Sequence, residues 1–333
     1  MYAMEKITVF VPNYNKQEYI SQTLESILMQ KTNFKYKILI IDDASTDNSV
    51  KIIKEFIKKY PKKIDFIQNE KNLRCLATSI KGYKKIKTEY FCVLDSDDYW
   101  VDKNKLQKAI DFLDKHKDFT IYMANNYIKE KSKKLYPYIN HESYDFDFNH
   151  LEHATFGHTS GTIFRNVIFV NEIPKIVYQA IDTKNEKVYE GDSFRNAIHL
   201  ERGKAHFENS LESVYRITNN GIWTSLNLFQ QGTLNARVYL KMFLYFKRKS
   251  NFFLNMSWYF CQKNIDLLTS IDKKNLKKDL SDFKDIFREC LKNKKIKLKF
   301  KDKIKLIFFY IFLNLNITNQ IKLLSNIRSI YDN

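Results

Sequence analysis

An uncharged run of five residues, Tyr90–Leu94, stops at three carboxylates within four positions: Asp95, Asp97 and Asp98. A short apolar and aromatic run of this kind reads as a strand buried on both faces of a sheet. The carboxyl ends of such strands are where open α/β sheets place their ligands. Carboxylates crowded together raise one another's pKa, and a hard cation held by oxygen ligands would relieve that repulsion. Mg²⁺ or Mn²⁺ bridging substrate phosphates is the usual arrangement. The bland alternative is a solvated turn, with Asp102 capping a helix over Lys103–Lys115. An EF-hand loop fails, because the sixth position from Asp95 is Trp100 where Gly is needed and the twelfth is Leu106 where Glu is needed. A phosphatase-type aspartyl nucleophile lacks its usual hydroxyl and lysine partners nearby. Alone, the acid cluster is a weak signal.

The pattern around it is stronger. Ile7–Val11 reads as a strand ended by the turn Pro12-Asn13-Tyr14-Asn15, and Gln17–Gln30 shows a helical face of Ile20, Leu24, Ile27 and Leu28. Tyr36–Ile41 is a second strand, ending in Asp42 and Asp43. Ser45 or Thr46 stands where it could cap a helix over Asn48–Lys59. A strand at Ile64–Gln68, a helix at Ala77–Ile86, the Tyr90–Leu94 strand, the Lys103–Lys115 helix and a strand at Phe119–Ile128 follow. This alternation predicts an α/β fold with a Rossmann-like, mostly parallel sheet flanked by helices. Two strands ending in acids at one edge suit a nucleotide-plus-metal site. Tyr14 offers a stacking ring and Asn15 an amide. No GxGxxG or GxxxxGK[ST] occurs, which weighs against dehydrogenases and P-loop NTPases.

At 333 residues, with 44% hydrophobic and 15% aromatic residues, the chain can bury a full core and has room for two domains. Seven Gly and four Pro leave little for flexible linkers. The cysteines Cys75, Cys92, Cys261 and Cys290 lack CxxC spacing, which argues against a zinc site or a disulfide framework. The N-terminus runs into a strand without a signal-peptide core, so a reducing, cytoplasmic location is expected. The net charge of +18 calls for an anionic partner: nucleic acid, an anionic membrane surface or a phosphorylated substrate. From Ser270 to Asn333, 16 Lys and Arg stand against seven Asp and Glu.

Four stretches in this order resemble the nucleotide-sugar-binding half of family 2 glycosyltransferases with the GT-A fold. They are Ile7–Asn15, Ile40–Asp47, Asn69–Leu73 and Leu94–Trp100. The resemblance implies that Pro12, Tyr14 and Asp43 contact the base and that Asp95 faces the ribose. It further implies that Asp97, with Asp98 adjacent, binds the Mn²⁺ or Mg²⁺ that bridges the diphosphate of a nucleotide-diphosphate sugar. More weakly, Gly157–Arg165 is similar to the family's acceptor-side strand, and Tyr189–Arg195 to the segment whose Asp is the catalytic base, here Asp192. Gly203–Phe207 and Ser213–Trp223 are similar to its closing strand and loop. The implied enzyme is a metal-dependent, inverting transferase of a hexosyl or N-acetylhexosaminyl group. Its donor would be a UDP-sugar and its acceptor a glycan or lipid-linked hydroxyl, in capsule or lipopolysaccharide synthesis.

Two positions depart from the family pattern. Arg74 follows Leu73 where the family has Gly, and is a candidate for the positive charge facing the phosphates. Thr218 stands where many relatives have a metal-ligating His. Read without the resemblance, Asp192 after Gly191 is more simply the cap of a helix at Ser193–His199. His153 and His158 flank the acceptor-side segment, where either could touch a hydroxyl; the other histidines show no ligand spacing. Tyr144–His150 reads as an acceptor-side or plain surface loop. The expected organisation is a GT-A domain over residues 1–225, with halves 1–128 and 129–225, and a basic helical region over 226–333. Helices are expected at Leu226–Lys247 and Phe252–Leu268. The run Leu306–Leu313, preceded by lysines, is too short to span a bilayer and suits a buried helix or one lying in the membrane interface. The competing function is a basic nucleic-acid-binding protein, or a nucleotide-sugar binder without catalysis. Nucleic-acid binding is not expected, because charge alone supports it.

Overall fold

The computed structural model describes residues 5–130, 134–151, 157–218, 221, 223–247, 251–268, 276–293, 312, 315, 319 and 320. The chain divides into two compact units, Met1–Thr218 and Asn219–Asn333.

The first unit opens with β1 (Ile7–Asn13), α1 (Ile20–Leu28), β2 (Tyr36–Asp42), α2 (Ser49–Lys59), β3 (Ile64–Gln68), α3 (Arg74–Lys85) and β4 (Tyr90–Val93). Alternation along β1 sends Ile7, Val9 and Val11 to one face, where they join Ile38 and Ile40 of β2 and the α1 stripe of Ile20, Leu24 and Ile27, all fully buried. Phe10 points to the other face, against Tyr83 of α3. The strands run parallel in the order β3-β2-β1-β4. This order, with helices in the crossovers, is the doubly wound arrangement expected from the alternation.

Further along come β5 (Tyr99–Trp100), α4 (Lys105–Lys115), β6 (Phe119–Lys129), β7 (Tyr136–Pro137) and β8 (Tyr144–Phe146). A single 3-10 turn, Thr159–Gly161, leads into β9 (Thr162–Arg165). The short helices α5 (Lys175–Tyr178) and α6 (Glu186–Glu190), then α7 (Asp192–Leu200) and β10 (Lys204–Arg216), complete the unit. β9 inserts antiparallel between β4 and β6, and β10 pairs parallel with β6 and antiparallel with β5 and β8. The sheet is therefore mixed: parallel in its first half, with antiparallel strands added by the second. Tyr144–Phe146, expected as loop, is the strand β8 on the edge of β10.

In the second unit α8 (Leu228–Tyr245), α9 (Asn251–Asp266) and α10 (Leu276–Lys292) pack on one another. Asn227 and Gln230 form a reciprocal capping box at the start of α8. The buried Asn264 on α9 donates to the Phe229 carbonyl at 3.0 Å and to Thr233 Oγ1 at 2.8 Å, and Trp258 stacks on Phe287. The lysine-rich stretch 294–305 lies outside the described residues, as does most of the apolar run after it; Phe312 of that run is buried. Among the described residues no helix is long and apolar enough to cross a membrane.

Candidate active site

The carboxyl ends of β1, β2 and β4 meet at one edge of the first unit's sheet. The loops there are tightly turned: Asn15 (φ 52°), Ala44 (φ 59°) and Arg74 (φ 66°) all adopt left-handed backbone without being glycine. Such conformations persist where surrounding bonds hold them, and they cluster at ligand sites. Asn15 accepts from the Thr46 amide at 2.8 Å and donates its own amide to Ser45 Oγ at 2.9 Å.

The two acids that end β2 do different work. Asp42 is fully buried, taking bonds from Asn13 Nδ2 (2.7 Å), the Ser45 amide (2.9 Å) and Ser45 Oγ (2.6 Å). It ties the β1 and β2 loops together. Asp43 accepts through Oδ1 from the Leu73 amide and from Asn69 Nδ2, both at 2.8 Å, while Lys81 holds Asn69 Oδ1 at 2.6 Å. Among the described residues no donor reaches Asp43's second oxygen. Tyr14 is 44% exposed at the same edge.

After β4, the Asp98 amide donates to the Asp95 carbonyl and closes a turn that gathers the three acids. Burial, then the charges of Asp192 and Asp97, push Asp95 up to about 7. Asp98 is 1% exposed, and burial followed by Asp97 and Asp95 drives it well above the usual carboxylate range. Its Oδ1 accepts from the Arg216 amide at 2.9 Å, but its buried Oδ2 has no hydrogen-bond partner and lies 3.6 Å from His158 Nδ1. Burial holds His158 down at about 4, so its ring is neutral at pH 7. The Ser160 amide donates to the same Nδ1 at 3.3 Å, which makes that nitrogen an acceptor. Asp97 is gripped by Lys16 Nζ at 2.5 Å.

These atoms suit a hard cation. An orphaned, buried carboxylate oxygen beside a second carboxylate is a donor set for Mg²⁺ or Mn²⁺. Among the described residues no three acid, His or Cys side chains converge on one point, so substrate oxygens would have to complete the coordination shell.

Asp192 reaches the same cluster from the far half of the unit. The N-cap of α7 is Gly191, in extended conformation, and Asp192 is the first helical residue with no capping bond. The capping alternative therefore fails on geometry. Instead Asp192 Oδ1 accepts from Arg195 Nη2 at 2.9 Å, one helical turn along. Packing around Asp192 opposes its charge, yet Arg195, His158 and a hydrogen bond from Thr159 together outweigh that and keep the carboxyl below the usual range. Arg195 is itself buried, donating to Tyr83 Oη at 3.1 Å and Thr159 Oγ1 at 3.2 Å. One carboxylate is thus favoured in its ionised form beside Asp95, which resists ionisation.

Pro12 stands near the end of β1, Tyr14, Asn15, Asp43, Asp95, Asp97 and Asp98 in loops at this edge, and Asp192 at the start of α7. Arg74 turns elsewhere: its side chain is 68% exposed and faces Glu186 at 3.6 Å and Asp182 at 3.8 Å. Positive charge at the acids comes from residues that sequence reasoning passed over. Lys16 is one. Arg216 is another; it grips the Asp97 carbonyl and Gln22 Oε1, and lies 4.3 Å from the Tyr99 ring centroid and 5.2 Å from that of Tyr19. Arg195 had a readable signal, the i, i+3 spacing from Asp192 on a helix. Lys16 and Arg216 had none, because their partners lie 81 and 119 positions away.

A doubly wound sheet with antiparallel additions, carrying acids beyond β2 and β4 and an acid at the start of α7, defines a GT-A type α/β protein. Residues 8–172, most of the first unit, match the model of glycosyl transferase family 2, and this part of the chain belongs to that family. The putative teichuronic acid biosynthesis glycosyltransferase TuaG of Bacillus subtilis is 32% identical over 107 residues, 32% of this chain and 41% of that protein. The teichoic acid poly(glycerol phosphate) polymerase of Staphylococcus epidermidis is 40% identical over 95 residues, 28% of this chain but 13% of that protein. An uncharacterised Mycobacterium tuberculosis protein is 28% identical over 214 residues, so the chain spans 59% of its length. Among solved structures, S. aureus TarS 1–349 in complex with UDP-GlcNAc superposes with a TM-score of 0.63 at 16% identity, covering 86% of this chain and 82% of that one. The mannosyltransferase PcManGT of Pyrobaculum calidifontis, in complex with GDP-Man and Mn²⁺, gives 0.51 at 11% identity, over 97% and 85%. These structural likenesses are of fold.

Proposed function

We propose that the chain is an inverting glycosyltransferase. It moves a sugar from a nucleotide-diphosphate sugar, UDP-linked in the first instance, to a hydroxyl of a glycan or lipid-linked acceptor in cell-surface polysaccharide assembly. One observation carries the reading: Asp192, paired with Arg195 at 2.9 Å, lies close enough to Asp95 for the two charges to oppose each other, at the edge where Asp95, Asp97 and Asp98 share one turn. Relatives named for teichoic and teichuronic acid synthesis, and a fold shared with proteins solved with UDP-GlcNAc and GDP-Man, support the substrate class.

In this reading Tyr14 and Pro12 border the base, Asp43 offers its second oxygen to a base N–H, Asn15 shapes that loop, and Asp95 meets the ribose. Asp97 and Asp98 would hold Mn²⁺ or Mg²⁺, which would supply neutralising charge for the departing diphosphate. Arg74, paired with acids of its own, contributes little at the phosphates. Asp192 takes the proton of the acceptor hydroxyl as that oxygen bonds to the anomeric carbon. The bond from that carbon to the phosphate oxygen breaks on the opposite face, and its electron pair leaves with the nucleoside diphosphate. Single displacement inverts the anomeric centre. The basic residues of 270–333 would keep the enzyme at an anionic membrane surface, beside a lipid-linked acceptor.

The test is release of UDP from UDP-sugars by purified protein with Mn²⁺. Asp97→Ala, or excess chelator on the wild type, should abolish it. Activity that survives chelation removes the metal from the mechanism. A chain that cleaves no nucleotide sugar but binds nucleic acid would restore the competing reading.

A further inference from the structure

Among the described residues three cations face the acid cluster, and two of them are clamped. Arg216 is fixed by the Asp97 carbonyl, by Gln22 and by the rings of Tyr19 and Tyr99. Arg195 is fixed by Tyr83, Thr159 and Asp192. Lys16 differs. Its backbone is anchored, with its amide on Ser49 Oγ at 3.0 Å and its carbonyl accepting from Tyr19 and Ile20 at 2.9 and 3.0 Å. Its ammonium has one side-chain partner among the described residues, Asp97 Oδ2 at 2.5 Å. Both side chains are largely covered, at 19% and 17% exposure, so the pair is better shielded than a surface ion pair.

The ammonium therefore sits on the carboxylate that the proposed function assigns to the cation. Lys16 also follows directly on Tyr14 and Asn15, in the loop that borders the nucleotide. We propose that Lys16 is an exchangeable counter-ion. In the ligand-free protein it neutralises Asp97; when a divalent cation takes that carboxylate, the freed ammonium transfers to the donor's diphosphate. The inference rests on the reading of Asp97 as the metal's ligand.

Physical chemistry favours such an exchange. Asp95, Asp97 and Asp98 crowd one turn, and Asp97 is largely covered with Lys16 against it, so Asp97 cannot cheaply lose its counter-charge. Lys16 leaves only as another cation arrives. A cation entering alone must displace the ammonium without giving it a new partner. A diphosphate entering alone finds the ammonium engaged. Entering together, each supplies what the other's binding lacks, and the two become positively coupled. A lysine suits this role better than an arginine, because its ammonium is a point charge on a flexible stem.

Isothermal titration of the full chain with Mn²⁺ alone, UDP alone and UDP in saturating Mn²⁺ tests the proposal without any turnover. Lys16→Met keeps the aliphatic stem and removes the charge. It should bind Mn²⁺ alone about 10-fold more tightly and UDP with Mn²⁺ about 10-fold more weakly, so that most of the coupling is lost. Lys16→Arg should bring UDP affinity in Mn²⁺ back toward wild type. Circular dichroism spectra matching wild type would establish that both variants are folded. If Lys16→Met leaves affinity for Mn²⁺ alone unchanged, or weakens it, the exchange is wrong and Lys16 is a plain structural partner of Asp97. If wild type with UDP binds Mn²⁺ no better than Asp97→Asn does, the metal reading falls, and the exchange with it. The two failures are therefore distinct.

Discussion

Asp192 and Arg195 show how one helical turn sets the chemistry of a side chain. A carboxylate at the start of a helix is stabilised by the helix dipole, and the guanidinium 2.9 Å away adds to it. The resulting base is weak but always ionised near neutral pH, which suits a proton transfer that completes only as the leaving group departs. Asp192→Asn keeps the shape and can still accept from Arg195, yet cannot take a proton. Transfer should fall by about 10²-fold or more, while UDP affinity measured by titration stays near wild type. A variant that instead loses thermal stability and keeps its turnover would show that Asp192 only anchors Arg195. Asp42 and Asp43 make the same point about context, since adjacent and chemically identical residues face a closed set of donors and an open edge.

At the scale of elements, the site depends on the strand that interrupts the parallel order. The 3-10 turn before β9 carries Ser160, whose carbonyl takes the Trp100 indole N–H at 2.9 Å, and Gly161, whose carbonyl takes the buried Lys105 ammonium at 3.0 Å. Lys105, fully buried, also pairs with Glu212 of β10 at 3.3 Å. These bonds join α4, β5, β10 and the turn that precedes β9, leaving Lys105 with partners for its buried charge. Gly161 has no room for a side chain, because a Cβ there would stand 2.3 Å from the Ala124 carbonyl oxygen of β6. Gly161→Ala must push backbone against backbone. The expected cost is about 1–3 kcal/mol, seen as a fall of several degrees in thermal denaturation. Activity should fall as well, since Ser160 orients His158. By contrast, where helices begin was only partly legible. Asp47, not Ser45 or Thr46, accepts from the Ser49 amide at 2.9 Å, and α3 starts at Arg74, three residues ahead of Ala77.

Across the molecule, stability carries a pH signature set by a group with no catalytic part. His199 is fully buried among Phe91, Phe164 and Phe169, with Nδ1 on the Arg195 carbonyl at 2.8 Å and Nε2 without a partner. Burial drives it down to about 3. An unfolded histidine titrates near 6.5, so between about 6.5 and 3 the unfolded chain binds a proton that the folded one refuses. The stability is complete above pH 6.5 and is lost as pH falls toward 3, at up to about 1.4 kcal/mol per pH unit. Asp95 and Glu190, each raised to about 7, and Asp98 bind protons in the folded chain over the same range and oppose this loss, so the share of His199 is read as a difference between wild type and variant. Urea midpoints of His199→Asn, which keeps a donor for the Arg195 carbonyl but does not titrate, should change between pH 7 and 5 with a slope less destabilising toward acid than that of wild type, by up to about 1.4 kcal/mol per pH unit. A slope unchanged by the substitution would assign the acid sensitivity to other groups.

By itself the sequence determined the alternation of strands and helices, the position of β3 at Ile64–Gln68 to the residue, and the edge at which acids gather. These follow from hydrophobic period and turn chemistry, which act over a few neighbours. Family resemblance added candidate roles for Asp43, Asp95, Asp97, Asp98 and Asp192. Only the tertiary structure decided which charges meet: Lys16 on Asp97, Arg216 behind Asp98, Arg195 beneath Asp192, and Arg74 turned aside to Glu186 and Asp182. It also decided that β9 runs antiparallel between β4 and β6. The reason is the same for both. Strand neighbours and charge partners far apart in sequence are chosen by how the whole sheet closes, a property no window of residues contains.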